Sequence, residues 1–166
     1  MKKLLLSVAV ACACALPSLA LLKGIHPAIT PDMLKALAEM GHGDEVVVGD
    51  ANFPAHAVHT RVIHAEGSSA SDILKGISGL MDLDTYATPV VMMAPLPHDT
   101  LDPNVEKKYR EALGGYTGKV ERISRTDFYA RAKSSIFVIV TGETAKYGNI
   151  ILKKASVVPD FGAKKK

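Results

Sequence analysis

The sequence has very little cysteine: its two cysteines, Cys12 and Cys14, both fall within the first twenty residues. Those twenty residues read as a secretory leader that is cleaved after Ala20. A chain that begins after Ala20 has no cysteine at all. It therefore cannot use thiolate catalysis, a disulfide or a cysteine-ligated metal, and it must be held by its core or by association with other chains.

The leader prediction rests on a short, ordered pattern. Lys2 and Lys3 precede an apolar run over residues 4–16, and the small residues Ser18 and Ala20 stand where a signal peptidase cleaves. The run is too short to span a membrane as an ordinary helix, so we expect no membrane association after processing. The alternatives are a buried first helix and a lipoprotein acylated on one of the two cysteines.

Strong charge and nucleotide-binding motifs are also missing. The formal charge is only +3, and part of it lies in the leader and in the terminal lysines 164–166, so no basic surface is left for nucleic acid. The sequence contains no phosphate-binding glycine loop, no dinucleotide fingerprint and no exposed-serine elbow. Cofactor-free acid/base chemistry or simple binding remains.

The length and the hydrophobic content of 48% fit one domain, which we place over residues 21–155, followed by a basic tail over 156–166. Alternation of helical and strand patterns predicts a single α/β domain, a mixed sheet covered by flanking helices. The predicted helices cover 31–40, 71–80, 102–113 and a short segment that Thr126 caps, ending near 133. The predicted strands cover 45–48, 61–65, 89–94, 119–124, 136–141 and 147–153.

Residues 39–56 collect polar groups at both ends of one buried strand, where ligands usually bind in such sheets. His42 lies between two glycines, and its imidazole suits both giving and taking a proton. The alternative is a histidine that interacts with the C-terminus of the preceding helix. Asp50 can orient an imidazole or accept hydrogen bonds from sugar hydroxyls, or it can serve only as a turn residue.

A second polar set lies towards the other end of the chain and comprises Arg125, Tyr129 and residues 146–149. A cation, two phenols and an amide suit a polyhydroxyl ligand, although half-buried tyrosines with satisfied hydroxyls are the commoner outcome. Met92 and Met93 are more typical of core than of a site. A metal site built from His56, His59 and His64 together with His42 and Asp50 is disfavoured by their spacing, and we predict none.

Several long segments of the chain match one known family. They are EMGHGDE (39–45), DANFPAH (50–56), LDTYATPVVMM (83–93), DTLDP (99–103), FYARA (128–132) and TGETAKYGNIILKK (141–154). The chain thereby resembles the ribose-pyranase and fucose-mutarotase family, in its fucose-type branch. The resemblance implies an α/β sheet protein that assembles as rings, commonly decamers, with its sites near subunit contacts.

The resemblance also implies an activity and the residues that carry it. The activity is a cofactor-free exchange of the α and β anomers of L-fucose, and relatives interconvert pyranose and furanose forms of ribose. The implied proton donor is His42, and Asp84 and Tyr129 are further catalytic positions. The implied substrate-binding residues are Asp50, Arg125, Tyr147, Gly148 and Asn149.

The chemistry that follows needs only acid/base groups and positioning. We expect His42 to protonate the ring oxygen and Tyr129 or Asp84 to take the anomeric proton. The leader departs from the family, whose members are cytoplasmic, so a periplasmic or secreted location and a cytoplasmic one are both open. The competing function is an exported sugar-binding module without catalysis. Met92 and Met93 could face the C6 methyl group of a deoxysugar.

Overall fold

The computed structural model describes residues 22–156. The predicted leader over 1–20, and the predicted tail apart from Ser156, lie outside the described residues. No helix within 22–156 is long and apolar enough to cross a membrane.

Within this range the chain alternates between helices and strands as the sequence predicts. The helices are α1 (Pro31–Glu39), α2 (Ala55–Val58), α3 (Ala70–Ser78), α4 (Pro103–Ala112) and α5 (Arg125–Lys133). The strands are β1 (Glu45–Gly49), β2 (Val62–Ala65), β3 (Val90–Met93), β4 (Val120–Ile123), β5 (Phe137–Thr141) and β6 (Ile150–Lys153).

The strands form one mixed sheet in the order β2-β5-β1-β6-β3-β4. β1, β2 and β5 run parallel, and β3 and β4 run parallel. β6 lies between these two groups and is antiparallel to both β1 and β3. The predicted fold class is therefore confirmed.

The sheet is buried on both faces, which explains why β1 is continuously apolar. Successive side chains of a strand point to opposite faces, so Val46 and Val48 join the core beneath α1, α3 and α4 while Val47 joins the core beneath α2 and α5. β5 and β6 divide their apolar side chains in the same way. Helices on both sides thus hold the ends of β1 and β6 in fixed positions.

Side chains satisfy backbone groups at both ends of α1. Thr30 caps the helix by accepting from Met33 N–H, with Pro31 in the first turn as predicted. At the other end Lys154 Nζ donates to the carbonyls of Leu37 and Met40 at 3.0 and 2.8 Å. The cation at this helix C-terminus is therefore Lys154 rather than His42.

Two local predictions need correction. α5 begins at Arg125 and is capped by Ser124, so the prediction of Thr126 as the cap was wrong. The Ser124 hydroxyl accepts from Asp127 N–H at 3.1 Å and donates to the Asp127 carboxylate at 2.6 Å. These two bonds favour a helix that starts after Ser124 over one that starts after Thr126. α2 was missed because four residues are too few to show a helical period.

Glu45, at the start of β1, connects three elements. Its carboxylate accepts from Arg131 of α5 at 2.6 and 2.9 Å and lies 3.2 Å from Lys153 Nζ of β6. Burial alone would raise the pKa of Glu45, but the hydrogen bonds and charges of these two cations together lower it. The ion cluster therefore favours the charged carboxylate at this end of the strand.

Gly49→Ala tests the tight turn that follows β1. A Cβ at Gly49 would lie 2.8 Å from the Cβ of Phe53, so the substitution must displace that ring. We expect a loss of about 1–3 kcal/mol in the free energy of unfolding, measured by urea denaturation. Gly67→Ala is the control, because nothing lies within 4 Å of its added methyl group. Equal stability of the two variants would contradict the packing described here.

Candidate active site

A polar cleft of about 240 Å³ opens at the end of the sheet where β1 finishes and β6 begins. We call it the Asp50 cleft. It brings together residues from separate parts of the chain: the predicted catalytic residue Tyr129 and four of the predicted substrate-binding residues, Asp50, Arg125, Tyr147 and Asn149. Phe53, Met93 and Asp99 also line it.

Asp50 and Asn149 form a reciprocal pair across β1 and β6. Asp50 N–H donates to Asn149 Oδ1 at 2.9 Å, and Asn149 Nδ2 donates to Asp50 Oδ2 at 2.7 Å. Asp50 Oδ1 accepts from Asn52 N–H, so the turn-residue alternative also holds. Both paired side chains are buried, and a carboxylate oxygen has room for a further donor beyond these bonds.

Burial raises the pKa of the Asp50 carboxyl above its usual range, and the negative charge of Glu143 adds to this effect. The hydrogen bonds from Asn52 and Asn149 act in the opposite direction because they stabilise the charged form. The pairing with Asn149 therefore helps to keep a buried carboxylate available as an acceptor.

The turn from Tyr147 to Asn149 is a constrained piece of backbone. Tyr147 has φ = 59°, a left-handed conformation that is uncommon for a residue with a side chain. A Cβ at Gly148 would lie 2.9 Å from the carbonyl oxygen of Ala145, and the Gly148 carbonyl accepts from Tyr109 OH at 2.8 Å. Gly148 thus shapes the turn that places Asn149, while its own atoms are used internally.

Asp99 is a cleft residue that the sequence did not single out. It accepts from Tyr147 OH at 2.6 Å and from Lys146 Nζ at 3.0 Å, and the Tyr147 hydroxyl in turn accepts from Leu96 N–H. The hydrogen bond from Tyr147, followed by that from Lys146, holds the pKa of Asp99 below its usual range. An acidic residue in a polar loop carries no pattern that would mark this role.

Arg125 and Tyr129 stand on successive turns of α5 and face the same cleft. Tyr129 packs edge-on against Phe53, with ring centroids 5.7 Å apart. Within residues 22–156 neither the Tyr129 hydroxyl nor the Arg125 guanidinium has a hydrogen-bonding or ionic partner. Tyr147, by contrast, has its hydroxyl satisfied by Asp99 and Leu96.

His42 and Asp84 lie together, but not in the Asp50 cleft. His42 Nε2 is 3.5 Å from Asp84 Oδ1, and the imidazole packs edge-on against Tyr86 with centroids 5.8 Å apart. We call these three residues the His42 cluster. Asp84 is buried, whereas His42 is 46% exposed and Tyr86 is 86% exposed.

Asp84 is fixed by backbone bonds as well as by His42. Its N–H donates to Lys153 O at 3.0 Å, and its Oδ1 accepts from Tyr86 N–H at 3.0 Å. The bond from Tyr86, and then the imidazole of His42, hold the pKa of Asp84 below its usual range. A charged carboxylate therefore lies beside His42, where it can orient the imidazole.

The two groups lie at opposite ends of the same strand pair. His42 precedes β1 and Asp84 contacts the end of β6, whereas Asp50 follows β1 and Asn149 precedes β6. A strand of five residues extends over roughly 16 Å, so the His42 imidazole cannot reach a ligand bound at Asp50 of the same chain. The predicted site residues therefore lie in two separate groups, the Asp50 cleft and the His42 cluster, which we call the two half-sites.

His59, another histidine considered as a metal ligand from the sequence, has a structural role. His59 Nδ1 accepts from Arg61 N–H at 2.9 Å, and its Nε2 donates to Ser135 O at 2.9 Å, so both ring nitrogens are used in holding a loop. Within residues 22–156 no group of three or more His, Cys, Asp or Glu side chains is arranged to hold a metal ion.

The fold and the cleft define a small α/β protein with a polar ligand site at the ends of a mixed sheet. Comparison of the sequence with known families identifies the family. The model of the RbsD / FucU transport protein family matches residues 23–157, and the chain belongs to this family.

Two L-fucose mutarotases are similar to this chain in sequence. The L-fucose mutarotase of Actinobacillus pleuropneumoniae serotype 5b (strain L20) is 56% identical over 138 residues, covering 81% of this chain and 96% of that protein. The L-fucose mutarotase of Histophilus somni (strain 2336) is 53% identical over 138 residues, covering 81% of this chain and 96% of that protein. The resemblance to the fucose-type branch is thereby confirmed.

Solved structures show the same fold. The fucose mutarotase of Streptococcus pneumoniae in complex with L-fucose has a TM-score of 0.78 at 39% identity, covering 82% of this chain and 100% of that chain. Bacillus subtilis RbsD complexed with D-ribose has a TM-score of 0.64 at 22% identity, over 78% of this chain and 95% of that one. At that identity the second likeness concerns the fold alone.

Asn149→Leu tests the reciprocal pair. The variant keeps the size of the side chain but removes the donor that stabilises the charged Asp50 carboxylate, so the pKa of Asp50 should rise further. Carbon-13 NMR titration of the Asp50 carboxyl measures this pKa. The Asp84 carboxyl, at the far end of β6, serves as the internal control and should not move. An unchanged Asp50 titration would show that the pair does not influence its charge.

Proposed function

We propose that this protein exchanges the α and β anomers of L-fucose, without a cofactor, by opening and reclosing the sugar ring. The observation that supports this most directly is the Asp50 cleft, in which a buried carboxylate, an amide, a cation and a phenol converge, the last two without a partner in the described part of the chain. The similarity to proteins named L-fucose mutarotase supports the choice of sugar. Interconversion of ribose ring forms is a second activity to assay.

The cleft offers a place for each side of the sugar. Asp50 accepts hydrogen bonds from hydroxyl groups, while Arg125 and Asn149 donate to sugar oxygens. Met93 and Phe53 supply an apolar wall for the C6 methyl group of a deoxysugar, because both are buried in the core and also line the cleft. Met92 points into the opposite core and does not line the cleft.

We propose further that the complete site forms between two copies of the chain. The His42 cluster of one copy would close the Asp50 cleft of the next, which overcomes the separation of roughly 16 Å within a single chain. The strong exposure of Tyr86 beside a buried carboxylate supports this, since tyrosine is enriched at contacts between chains. Rings of copies, such as decamers, supply this contact repeatedly.

The reaction requires two proton transfers. A proton leaves the anomeric hydroxyl while another is delivered to the ring oxygen, and the bond between C1 and the ring oxygen breaks to give the open aldehyde. Rotation about C1–C2 and reclosure, with the protons returned, give the other anomer. We assign delivery of the ring-oxygen proton to His42, supported by Asp84. We assign removal of the anomeric proton to Tyr129 acting as a relay: its hydroxyl oxygen accepts that proton while its own proton passes to a water molecule, and the hydroxyl has no other partner within the described residues.

His42→Gln tests the role of the acid. Loss of general acid catalysis should slow anomer exchange about 10²- to 10⁴-fold, with the fold intact by circular dichroism. The measurement is magnetisation-exchange NMR on the anomeric protons of L-fucose. His26→Gln is the matched control, because His26 accepts a local backbone hydrogen bond and belongs to neither half-site. Saturable binding of L-fucose by wild-type protein without faster exchange would favour the sugar-binding module instead.

A mixing experiment tests the shared site. His42→Gln and Asp50→Asn are each expected to be inactive, because every site in either assembly lacks one half. When the two variants are dissociated, mixed in equal amounts and reassembled, about a quarter of the sites combine two intact halves, so about a quarter of wild-type exchange should return. Native mass spectrometry confirms that the copies have mixed. Mixed assemblies without recovered exchange would contradict a site shared between copies.

We also propose that residues 1–20 direct export of the chain to the periplasm or beyond. The pattern of the leader supports this, as does the start of the family match at residue 23, shortly after the expected cleavage site. Mass spectrometry of the protein expressed with its leader should find a chain that starts at Leu21 outside the cytoplasm. An uncleaved chain confined to the cytoplasm would support the alternative location.

A further inference from the structure

Two histidines outside both half-sites face each other on the protein surface. His56 belongs to α2 and His64 to the edge strand β2, and both side chains are exposed. Their Nε2 atoms are 3.0 Å apart, and the rings lie nearly parallel, with an angle of 30° between their planes and 5.2 Å between their centroids. Neither residue lines the Asp50 cleft.

Glu66 contacts the second imidazole at its far nitrogen. Its carboxylate accepts a hydrogen bond from His64 Nδ1 at 2.5 Å. A neutral imidazole carries one proton, so a proton on Nδ1 leaves a lone pair on His64 Nε2, directed at His56.

We propose that His56 and His64 together bind a divalent transition metal ion, Cu²⁺ in preference to Ni²⁺ and Zn²⁺. Two metal–nitrogen bonds of about 2.0–2.1 Å that meet at roughly a right angle hold their nitrogens about 3 Å apart, which is the separation found here. Right angles between neighbouring ligands are the preference of Cu²⁺ and Ni²⁺, whereas Zn²⁺ prefers the wider tetrahedral angle.

The surroundings suit such an ion. A carboxylate on the far nitrogen of a metal-binding imidazole orients the ring and makes it a better ligand, and Glu66 stands in that position. The rings must tilt towards a common point, and His56 must carry its own proton on Nδ1. Exposed side chains can make both adjustments, since the His64 side chain is 52% exposed. His59 cannot serve as a third ligand, because both of its ring nitrogens are hydrogen-bonded to backbone groups. Water molecules therefore complete the coordination.

The test uses the full chain and Cu²⁺ itself, with glycine as a weak competing chelator. Titration calorimetry counts the bound ions, and electron paramagnetic resonance reports nitrogen ligands in the copper plane. Wild-type protein should bind one Cu²⁺ more than His56→Gln/His64→Gln. Glu66→Gln should weaken the same site about tenfold or more, and His98→Gln, which removes an exposed histidine elsewhere, should not change it.

Equal numbers and affinities of bound Cu²⁺ in wild-type protein and in the folded double variant would overturn the proposal. If the double variant does not fold, His56→Gln alone decides, because it removes one of two ligands from a short exposed helix. This single variant should lose at least about tenfold in affinity. An unchanged affinity would show that the histidines form only a hydrogen-bonded pair.

Discussion

The antiparallel pairing of β1 with β6 is the constraint on which the rest of the structure depends. It brings Asn149 beside Asp50 at one end and the end of β6 beside His42 and Asp84 at the other. Both strands are buried on each face, so neither can slip without moving apolar side chains of both cores. The polar groups at the two ends are therefore held at a fixed separation.

That separation explains the division of chemical roles that we propose. The Asp50 cleft has acceptors, donors and an apolar wall suited to a sugar, together with a phenol that has no partner among residues 22–156. The His42 cluster has an exposed imidazole supported by a buried, charged carboxylate. Among the described residues, neither end alone combines the proposed sugar-binding groups with the proposed histidine acid. Assembly of copies would bring the Asp50 cleft and the His42 cluster together. It would thereby couple catalytic activity to association, in a chain whose described part has no disulfide.

Much of this was predictable from sequence. Strand and helix positions followed from apolar patterning and caps. The candidate site residues came from long matching segments, and their roles stay predictions. The direction of β6 carries no sequence signal, so nothing indicated that Asp50 and Asn149, 99 residues apart, would bond to each other while His42 lay elsewhere. Asp99 was equally hidden, since its role depends on a loop that meets Tyr147 in space.

The most direct measurement is a crystal or electron cryomicroscopy structure of the assembled protein with L-fucose bound. We predict that the sugar occupies the Asp50 cleft of one copy and that the His42 imidazole of a neighbouring copy lies within about 3.2 Å of the sugar's ring oxygen, or is joined to it by one water molecule. A sugar bound at Asp50 with no His42 from any copy in reach would contradict the account.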